Sequence, residues 1–451
     1  MKGTLIDEGQ DVPVYAYYVP KDSGYDVYVL ANYVVYAPVN STGLFKGMTN
    51  LSSIETDNFD VSRAVNMKAM FYQASNIVNL NVNGWDTGAC TDMSYLFTQC
   101  PNLRTVKAAG WDTSEVTNMY AMFGMCGNLV TLTGEENWKL SSATTTNYMF
   151  QGCNKLLELN VSNWDLSNVT EMSAMFQYCY DLKYLDPSQW NTGNCKNFNS
   201  VFAGCNNLKV DENALVTWDM SNAVNINHMF CGCGSIQKLN LSGWNMPNMT
   251  TTSHMFADCI NLKSINFSGW YTPSVTSLDC MFNECRSLTS LDVSSFDTSN
   301  CKEFSQLFEY CSSLEVIYDL ENWNTSNAKT YEAIFRDCSA LKELDLRTFN
   351  TRNVLNDYRM DWQPNPNEPN IGNGCLYMFS GMTSLEKLVL SADFSFDGDG
   401  KVTTEINKVK LPAPNNAEGL WYDDAGIAYT PDKIPEEKAA TYYAVNPVAT
   451  P

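Results

Sequence analysis

The chain has 451 residues, with 28 Lys and Arg against 50 Asp and Glu, a formal net charge of −22 and 44% hydrophobic residues. So acidic a surface would repel the phosphates of nucleic acids and anionic lipid headgroups, and neither is an expected partner. No apolar run reaches the roughly 18 to 20 residues of a membrane helix, and the first 30 residues lack the pattern of a signal peptide. We therefore expect either a trimmed secreted chain or one that is exported by another route.

The N-terminal segment, residues 1–43, is rich in aromatic residues. Its two runs, 12–19 and 25–36, have the composition of β-strands. The sequence predicts a short antiparallel hairpin here, which would form an N-terminal β cap on the array that follows.

Residues 44–390 repeat one unit with a period of about 26 residues. Most units place an aromatic residue, usually Trp, twelve positions before a Phe, and ten units place Cys three positions after it. A period of this length indicates stacked supersecondary units rather than separate domains. The repeated Phe residues are Phe45, Phe71, Phe97, Phe123, Phe150, Phe176, Phe202, Phe230, Phe256, Phe282, Phe308, Phe335 and Phe379.

Each unit combines two periodicities. Val169, Met172, Phe176 and Cys179 follow the 3, 4, 7 spacing of one helical face, which predicts a short helix. The alternation of buried-type residues before the aromatic predicts a short strand, and the recurring Asn/Asp-Thr-Ser/Gly-Asn segment is typical of a turn.

Because a 26-residue unit cannot enclose its own apolar face, neighbouring units must supply the other wall. The sequence thus predicts an α/β, leucine-rich-repeat-like solenoid of about thirteen helix-turn-strand coils with one parallel sheet. Short insertions at 134–137, 211–216 and 318–319 fall where a loop can bulge. A longer insertion lies near 355–375.

The period is lost in residues 391–451. This segment contains Trp421, strand-like runs and a Pro-containing tail from Asn446. We predict a C-terminal cap followed by the start of a linker.

The repeat W-(D/N)-T-S-N-V-T-x-M-x-x-M-F-x-x-C-x-x-L-x-x-L-x-L-S-x-W resembles that of bacterial surface proteins grouped as BspA-like leucine-rich-repeat adhesins. The resemblance covers roughly residues 44–390, and the closing segment WYDDAGIAYTPDKIPEEKAATYYA is similar to one that follows such arrays. It implies a secreted or wall-anchored protein that adheres to host matrix, mucus or other microbes, and it implies no catalytic residues. Unlike a full-length member, the sequence shows no signal peptide and no wall-anchoring tail.

The cysteines are expected to be buried thiols rather than disulfides or metal ligands. Ten of the sixteen occupy one apolar position of the unit, where a small hydrophobic side chain belongs. Cys231, Cys280 and Cys375 lie off this pattern, so a bridged or reactive thiol would be among these three.

The two histidines lie at equivalent positions. His228, His254 and Cys280 each stand two residues before the repeated Phe in successive units. One ligand per coil would spread them too far apart for zinc, which needs three or four converging ligands. We therefore expect no metal, no cofactor and no catalytic residues, since no nucleophile is paired with a base.

Two surfaces are candidate binding sites. The outward strand positions, eight and ten residues after Phe, form a polar ladder, and the insertion carries aromatic and Arg side chains of the kind found at interface hot spots. A solvated sheet face is polar without any ligand, and insertions also arise neutrally. The candidate residues are Asn160, Tyr184, Asp186, Asn240, Asn266 and Asp292 on the sheet, and Tyr358, Arg359 and Trp362 in the insertion.

The sequence therefore favours a non-catalytic adhesion or recognition solenoid at a bacterial cell surface, with a host glycoprotein, matrix protein or polysaccharide as its extracellular ligand. The alternative is a structural or host-binding component of a virion or extracellular filament. An enzyme is a third hypothesis with little support from the residues.

Overall fold

The computed structural model describes residues 4–7, 14–21, 24–30, 34–54, 56–354, 374–396 and 411–449. They belong to two compact units, Met1–Val169 and Thr170–Pro451. Each unit is a parallel-sheet solenoid of stacked coils, and the described coils of the two units number about eleven. The predicted leucine-rich-repeat-like solenoid is confirmed. The coil count is slightly lower than the thirteen predicted.

In the first unit, the N-terminal strands form an antiparallel sheet and the later strands pair in parallel. β4 pairs with β5, so stacking begins inside the segment 1–43 that was assigned to the N-terminal cap. The strands are β1 Thr4–Asp7, β2 Val14–Lys21, β3 Gly24–Leu30, β4 Val35–Tyr36, β5 Phe59–Asp60, β6 Asn79–Asn81, β7 Thr105–Lys107 and β8 Thr131–Thr133.

In the second unit, parallel pairs join β9 with β10, β11 with β12 and β13 with β14. The C-terminal segment then adds β17 antiparallel to β14, which gives the last parallel strand a hydrogen-bonding partner. The strands are β9 Lys238–Asn240, β10 Ser264–Asn266, β11 Ser290–Asp292, β12 Val316–Tyr318, β13 Glu343–Leu346, β14 Lys387–Leu390, β15 Trp421–Asp423, β16 Ala428–Tyr429 and β17 Ala440–Tyr443.

The helix predicted in each unit was wrong. The helices within the described ranges are single 3-10 turns, at Glu135–Asn137 and Leu320–Asn322. Around each repeated Phe the chain forms consecutive turns instead, because residues two before and two after the Phe adopt left-handed φ angles. At Phe256, for example, His254 has φ 58° and Asp258 has φ 61°.

In this backbone, alternate N–H groups donate hydrogen bonds to carbonyl oxygens of the next coil. The intervening residues close turns within their own coil, as when Met255 N–H donates to Thr252 O. An α-helix would direct its N–H groups back along the same segment, whereas these turns bond one coil to the next. The inter-coil distances are 2.9 Å for His254 N to Asp279 O, Phe256 N to Met281 O and Asp258 N to Asn283 O. The apolar spacing therefore identified the buried face correctly but not the backbone.

Two ladders of aromatic rings fill the core. In the first unit Trp85 stacks on Trp111 with ring centroids 6.3 Å apart, and Phe97 stacks on Phe123 at 5.0 Å. The second unit contains equivalent ladders, in which Phe230 and Phe256 are 5.7 Å apart. Many indoles also donate to a carbonyl of the preceding coil, as Trp111 Nε1 does to Val82 O at 3.0 Å.

The polar turn motif joins each coil to its neighbours. In the second unit, Asp297 Oδ1 accepts the N–H of Ser299 at 3.0 Å, which shapes the turn. The buried Thr298 hydroxyl donates to Asn324 O of the following coil at 3.1 Å, and the Asn300 amide donates to Pro273 O of the preceding coil at 2.8 Å. Each residue type of the motif thus has a structural task.

The insertion at 134–137 forms one 3-10 turn and buries a carboxylate. Glu135 is 6% exposed, and its Oε2 has no hydrogen-bond partner among the described residues. Its Oε1 accepts the N–H of Asn160 at 3.3 Å. Burial raises the pKa of this carboxyl, because the charged form loses hydration.

Glu135→Gln is expected to stabilise the first unit at pH 7 by about 1 kcal/mol, since the neutral amide avoids the cost of a buried charge. A raised folded-state pKa means that the ionised form disfavours folding, so stability falls as pH rises through the carboxyl range. Urea unfolding of both proteins at pH 4 and pH 7 measures this. A gain of equal size at both pH values would contradict a charge effect.

Candidate functional site

The sheet face presents the side chains that the repeat leaves outward. The central residue of each short strand is directed into the core, while its two flanking residues lie outside, as in β6, where Asn79 and Asn81 are exposed around buried Leu80. Adjacent strands are in register, with Asn79 opposite Thr105 and Asn240 opposite Asn266. Equivalent residues therefore form columns across the paired strands.

Five of the six predicted sheet-face residues also shape the backbone. Each accepts, through its side-chain oxygen, the N–H of the Ser two residues later and so closes the turn that follows the strand. Hydrogen bonds from Ser294 lower the pKa of Asp292, which therefore stays ionised. The N···O distances are 3.3 Å at Asn160, 3.0 Å at Asp186, 3.1 Å at Asn240, 3.0 Å at Asn266 and 2.9 Å at Asp292.

Two exposed tyrosines lie on this face. Tyr184, the sixth predicted residue, is 57% exposed, and Tyr318 in β12 is 55% exposed opposite Asp292. Sequence reasoning missed Tyr318 because it had been assigned to an insertion, although it lies ten residues after Phe308. Tyr271 is equally exposed, at 54%, but follows a core Trp outside the strand positions.

The remaining predicted binding residues are those of the long insertion. Tyr358, Arg359 and Trp362 lie outside the described residues, so their use in binding stays a prediction.

A second aromatic row lies on the turn side of the first unit. Tyr95, Tyr120 and Tyr148 have ring centroids 5.1 and 5.3 Å apart, and Tyr72 lies 6.5 Å from Tyr95. The Lys68 ammonium is 5.8 Å from the Tyr95 ring. These half-buried rings contact one another, so they contribute to packing between coils.

The repeated thiols lie in the core. Fifteen of the sixteen cysteines are buried, and Cys231 is half-buried. A typical thiol, Cys259, donates to Phe230 O of the preceding coil at 3.1 Å. Burial raises the pKa of Cys100 and Cys205 to about 12, so these thiols stay protonated and unreactive. Cys375 is buried like the repeated thiols.

The row of His228, His254 and Cys280 is more compact than the sequence suggested. The two imidazole rings stack with centroids 4.5 Å apart. Ligand atoms of His254, Asp279 and Cys280 all lie within 4.8 Å of one another. His228 is not among the converging groups, and it is Asp279 that adds a second ligand in the Cys280 coil. Sequence reasoning missed Asp279, although it directly precedes Cys280.

Burial disfavours the charged forms of the groups in this cluster. Burial, together with the nearby His228, lowers the pKa of His254 to about 4, and burial raises the pKa of Asp279 to about 7. Burial and the neighbouring Asp279 raise the pKa of the Cys280 thiol well above its usual range. A protonated thiol is a poor nucleophile, so the arrangement does not resemble an activated cysteine of an enzyme.

Among the described residues, no helix is long and apolar enough to cross a bilayer.

Several solved leucine-rich-repeat structures are similar to the chain at low identity. A leucine-rich-repeat protein from Eubacterium ventriosum shares 15% identity over 72% of this chain and 80% of its own, with a TM-score of 0.30. A leucine-rich cell surface protein from Faecalibacterium prausnitzii shares 15% over 76% and 94%, with a TM-score of 0.33. The functional domain of InlJ from Listeria monocytogenes, which includes a cysteine ladder, shares 12% over 84% and 82%, with a TM-score of 0.20. These TM-scores are too low to support a conclusion about function.

No curated protein matches the chain. The family described as "Mycoplasma protein of unknown function, DUF285" matches residues 39–158, 129–238, 207–313 and 253–372. These ranges overlap to cover residues 39–372 and include most of the repeat array. The chain therefore belongs to the family of Mycoplasma proteins of unknown function, DUF285.

Proposed function

We propose that this chain is a non-catalytic recognition module that binds a protein or glycan ligand outside a bacterial cell. The observation that carries the proposal is the exposed sheet face, on which Tyr184 and Tyr318 stand among Asn, Asp and Ser side chains. Parallel strands repeat these side chains about every 4.8 Å, which suits an extended ligand with many weak contacts. Tyr combines apolar area with a polar tip at small entropic cost, so it suits binding surfaces.

Charge narrows the ligand class. A net charge of −22 disfavours polyanions and favours neutral glycans or proteins with basic patches. The resemblance of the repeat to BspA-like adhesins supports display at a bacterial surface and adhesion to host glycoproteins, matrix proteins or polysaccharides. The unactivated thiols and imidazoles support a module without catalysis.

The test is a binding screen of the full chain against glycan and host-glycoprotein arrays, followed by titration of any positive ligand. Tyr184→Ala combined with Tyr318→Ala is expected to weaken binding at least about 10-fold. Aromatic side chains that become buried when a ligand binds commonly contribute more than about 1 kcal/mol each to the binding free energy. Tyr271→Ala is the matched control, since it removes the same exposed ring away from the strands and should leave affinity unchanged.

Equal losses in the control and in the double variant would place the binding surface elsewhere. The absence of any ligand on the arrays would favour a purely structural role instead.

A further inference from the structure

We propose that His254, Asp279 and Cys280 form a binding site for a divalent transition-metal ion of the zinc type. The proposal is independent of the sheet-face binding function, because the three residues lie on the turn side of the second unit. It starts from their convergence: one imidazole nitrogen, one carboxylate oxygen and one sulfur lie within 4.8 Å of one another.

The backbone explains why they converge. Cys280 occupies the repeat position of His254 one coil later, and the His254 N–H donates to Asp279 O at 2.9 Å. The strictly repeated left-handed residues, with φ 58° at His254 and 53° at Cys280, give the two side chains equivalent starting directions. Ligands from adjacent coils are therefore separated by the coil spacing alone.

The separations suit tetrahedral coordination. The Cys280 sulfur lies 3.5 Å from Asp279 Oδ2. In a tetrahedral zinc site with Zn–S of about 2.3 Å and Zn–O of about 2.0 Å, the two ligand atoms are about 3.5 Å apart. The imidazole nitrogen lies within 4.8 Å of both atoms, and Gln306 Oε1, which is 3.3 Å from the sulfur, supplies a further oxygen beside the cluster.

Two buried polar atoms of the cluster have no hydrogen-bond partner among the described residues. Asp279 is only 4% exposed, yet its Oδ1 has no hydrogen-bond partner among the described residues, and the same holds for the buried Nδ1 of His254. Such atoms cost free energy unless something satisfies them. A cation would satisfy the carboxylate and the imidazole together.

The surroundings and the donor types fit a borderline-soft cation. The carboxylates of Glu303 and Glu332 are close enough to act on Asp279, so the local field favours positive charge. One nitrogen, one sulfur and one oxygen donor suit zinc better than calcium or magnesium, which prefer oxygen alone. Metal binding would displace the Cys280 proton, since a coordinating thiol binds as thiolate.

The test uses the full chain, freed of metal with a chelator and titrated with Co²⁺ as a spectroscopic probe and with Zn²⁺ as competitor. We expect one equivalent of Co²⁺ to bind, with a thiolate-to-cobalt absorption band that Zn²⁺ abolishes. C280S should lose the band. H254A and D279N should weaken affinity by at least about 10-fold, as even outer-sphere partners of metal ligands contribute about that much.

Two matched variants control for neighbouring groups. His228→Ala removes the imidazole stacked on His254, and Cys231→Ser removes the half-buried thiol on the same side, and both should keep the band and the stoichiometry. D279N separates the loss of a metal ligand from misfolding. Because a neutral amide replaces a buried carboxylate, the metal-free variant should have a melting temperature no lower than that of the metal-free wild type. A band that survives C280S, or an affinity for Co²⁺ that is unchanged in both H254A and D279N, would overturn the proposal.

Discussion

Trp244→Ala is expected to destabilise the second unit by about 3–5 kcal/mol, the range for removing a large aromatic side chain from a core. Trp244 is fully buried between Trp218 and Trp270, with ring centroids 6.4 and 6.1 Å away. Its Nε1 donates to Leu215 O at 3.1 Å, and the substitution leaves that carbonyl without this donor. The coils contribute through nearest-neighbour contacts, so protection from hydrogen exchange should fall in both adjacent coils.

The control for this prediction already exists in the repeat. Phe occupies the equivalent core position at Phe296, where it stacks on Trp270 at 5.7 Å. Trp244→Phe should therefore keep the stack and cost only about 1–2 kcal/mol, mainly through the lost hydrogen bond and some volume. Urea unfolding monitored by circular dichroism measures both variants. Similar losses for Ala and Phe would show that stacking contributes little.

Gly134→Ala is expected to destabilise the first unit by about 3 kcal/mol or more. Gly134 has φ 101°, and a Cβ there would lie 2.5 Å from the carbonyl carbon of Ala108 in the preceding coil. The variant therefore combines backbone strain of about 1–2 kcal/mol with a clash against backbone atoms that cannot rotate away.

Gly84→Ala separates these two costs. Gly84 has φ 75° in the same unit, but a Cβ there meets nothing within 4 Å. This variant should lose only the strain, about 1 kcal/mol. Thermal unfolding of the two variants should thus differ by several degrees. Equal melting temperatures would mean that the coils can move apart at Gly134 without lowering the free energy of unfolding.

The repeat determined much of what the structure shows. The spacing of Phe, Trp and Cys predicted a stacked solenoid, since identical residues at a fixed period can fill one continuous core. It also placed the thiols inside and the Asn, Asp and Ser side chains outside. The pattern did not predict the backbone conformation of the segment around each repeated Phe. A spacing of 3, 4 and 7 describes one buried face whether the chain forms a helix or consecutive turns.

The candidate sites likewise differ in how much of them the sequence could predict. Tyr184 could be placed on the outer sheet face from its position after Phe176, because residues two apart in a strand share a face. The convergence of His254, Asp279 and Cys280 could not be anticipated, because it depends on coil spacing and on left-handed φ angles that aim adjacent side chains across coils.

The sequence by itself determined the period, the core positions and the polar turn motif of this protein, since these follow from local chemistry copied along the chain. Only the tertiary structure decided how coils bond to one another. Backbone N–H groups that an isolated segment would use within a helix instead donate to the neighbouring coil, as Phe256 does to Met281. That choice depends on a partner that no single repeat contains, which is why it emerges only when the coils are stacked.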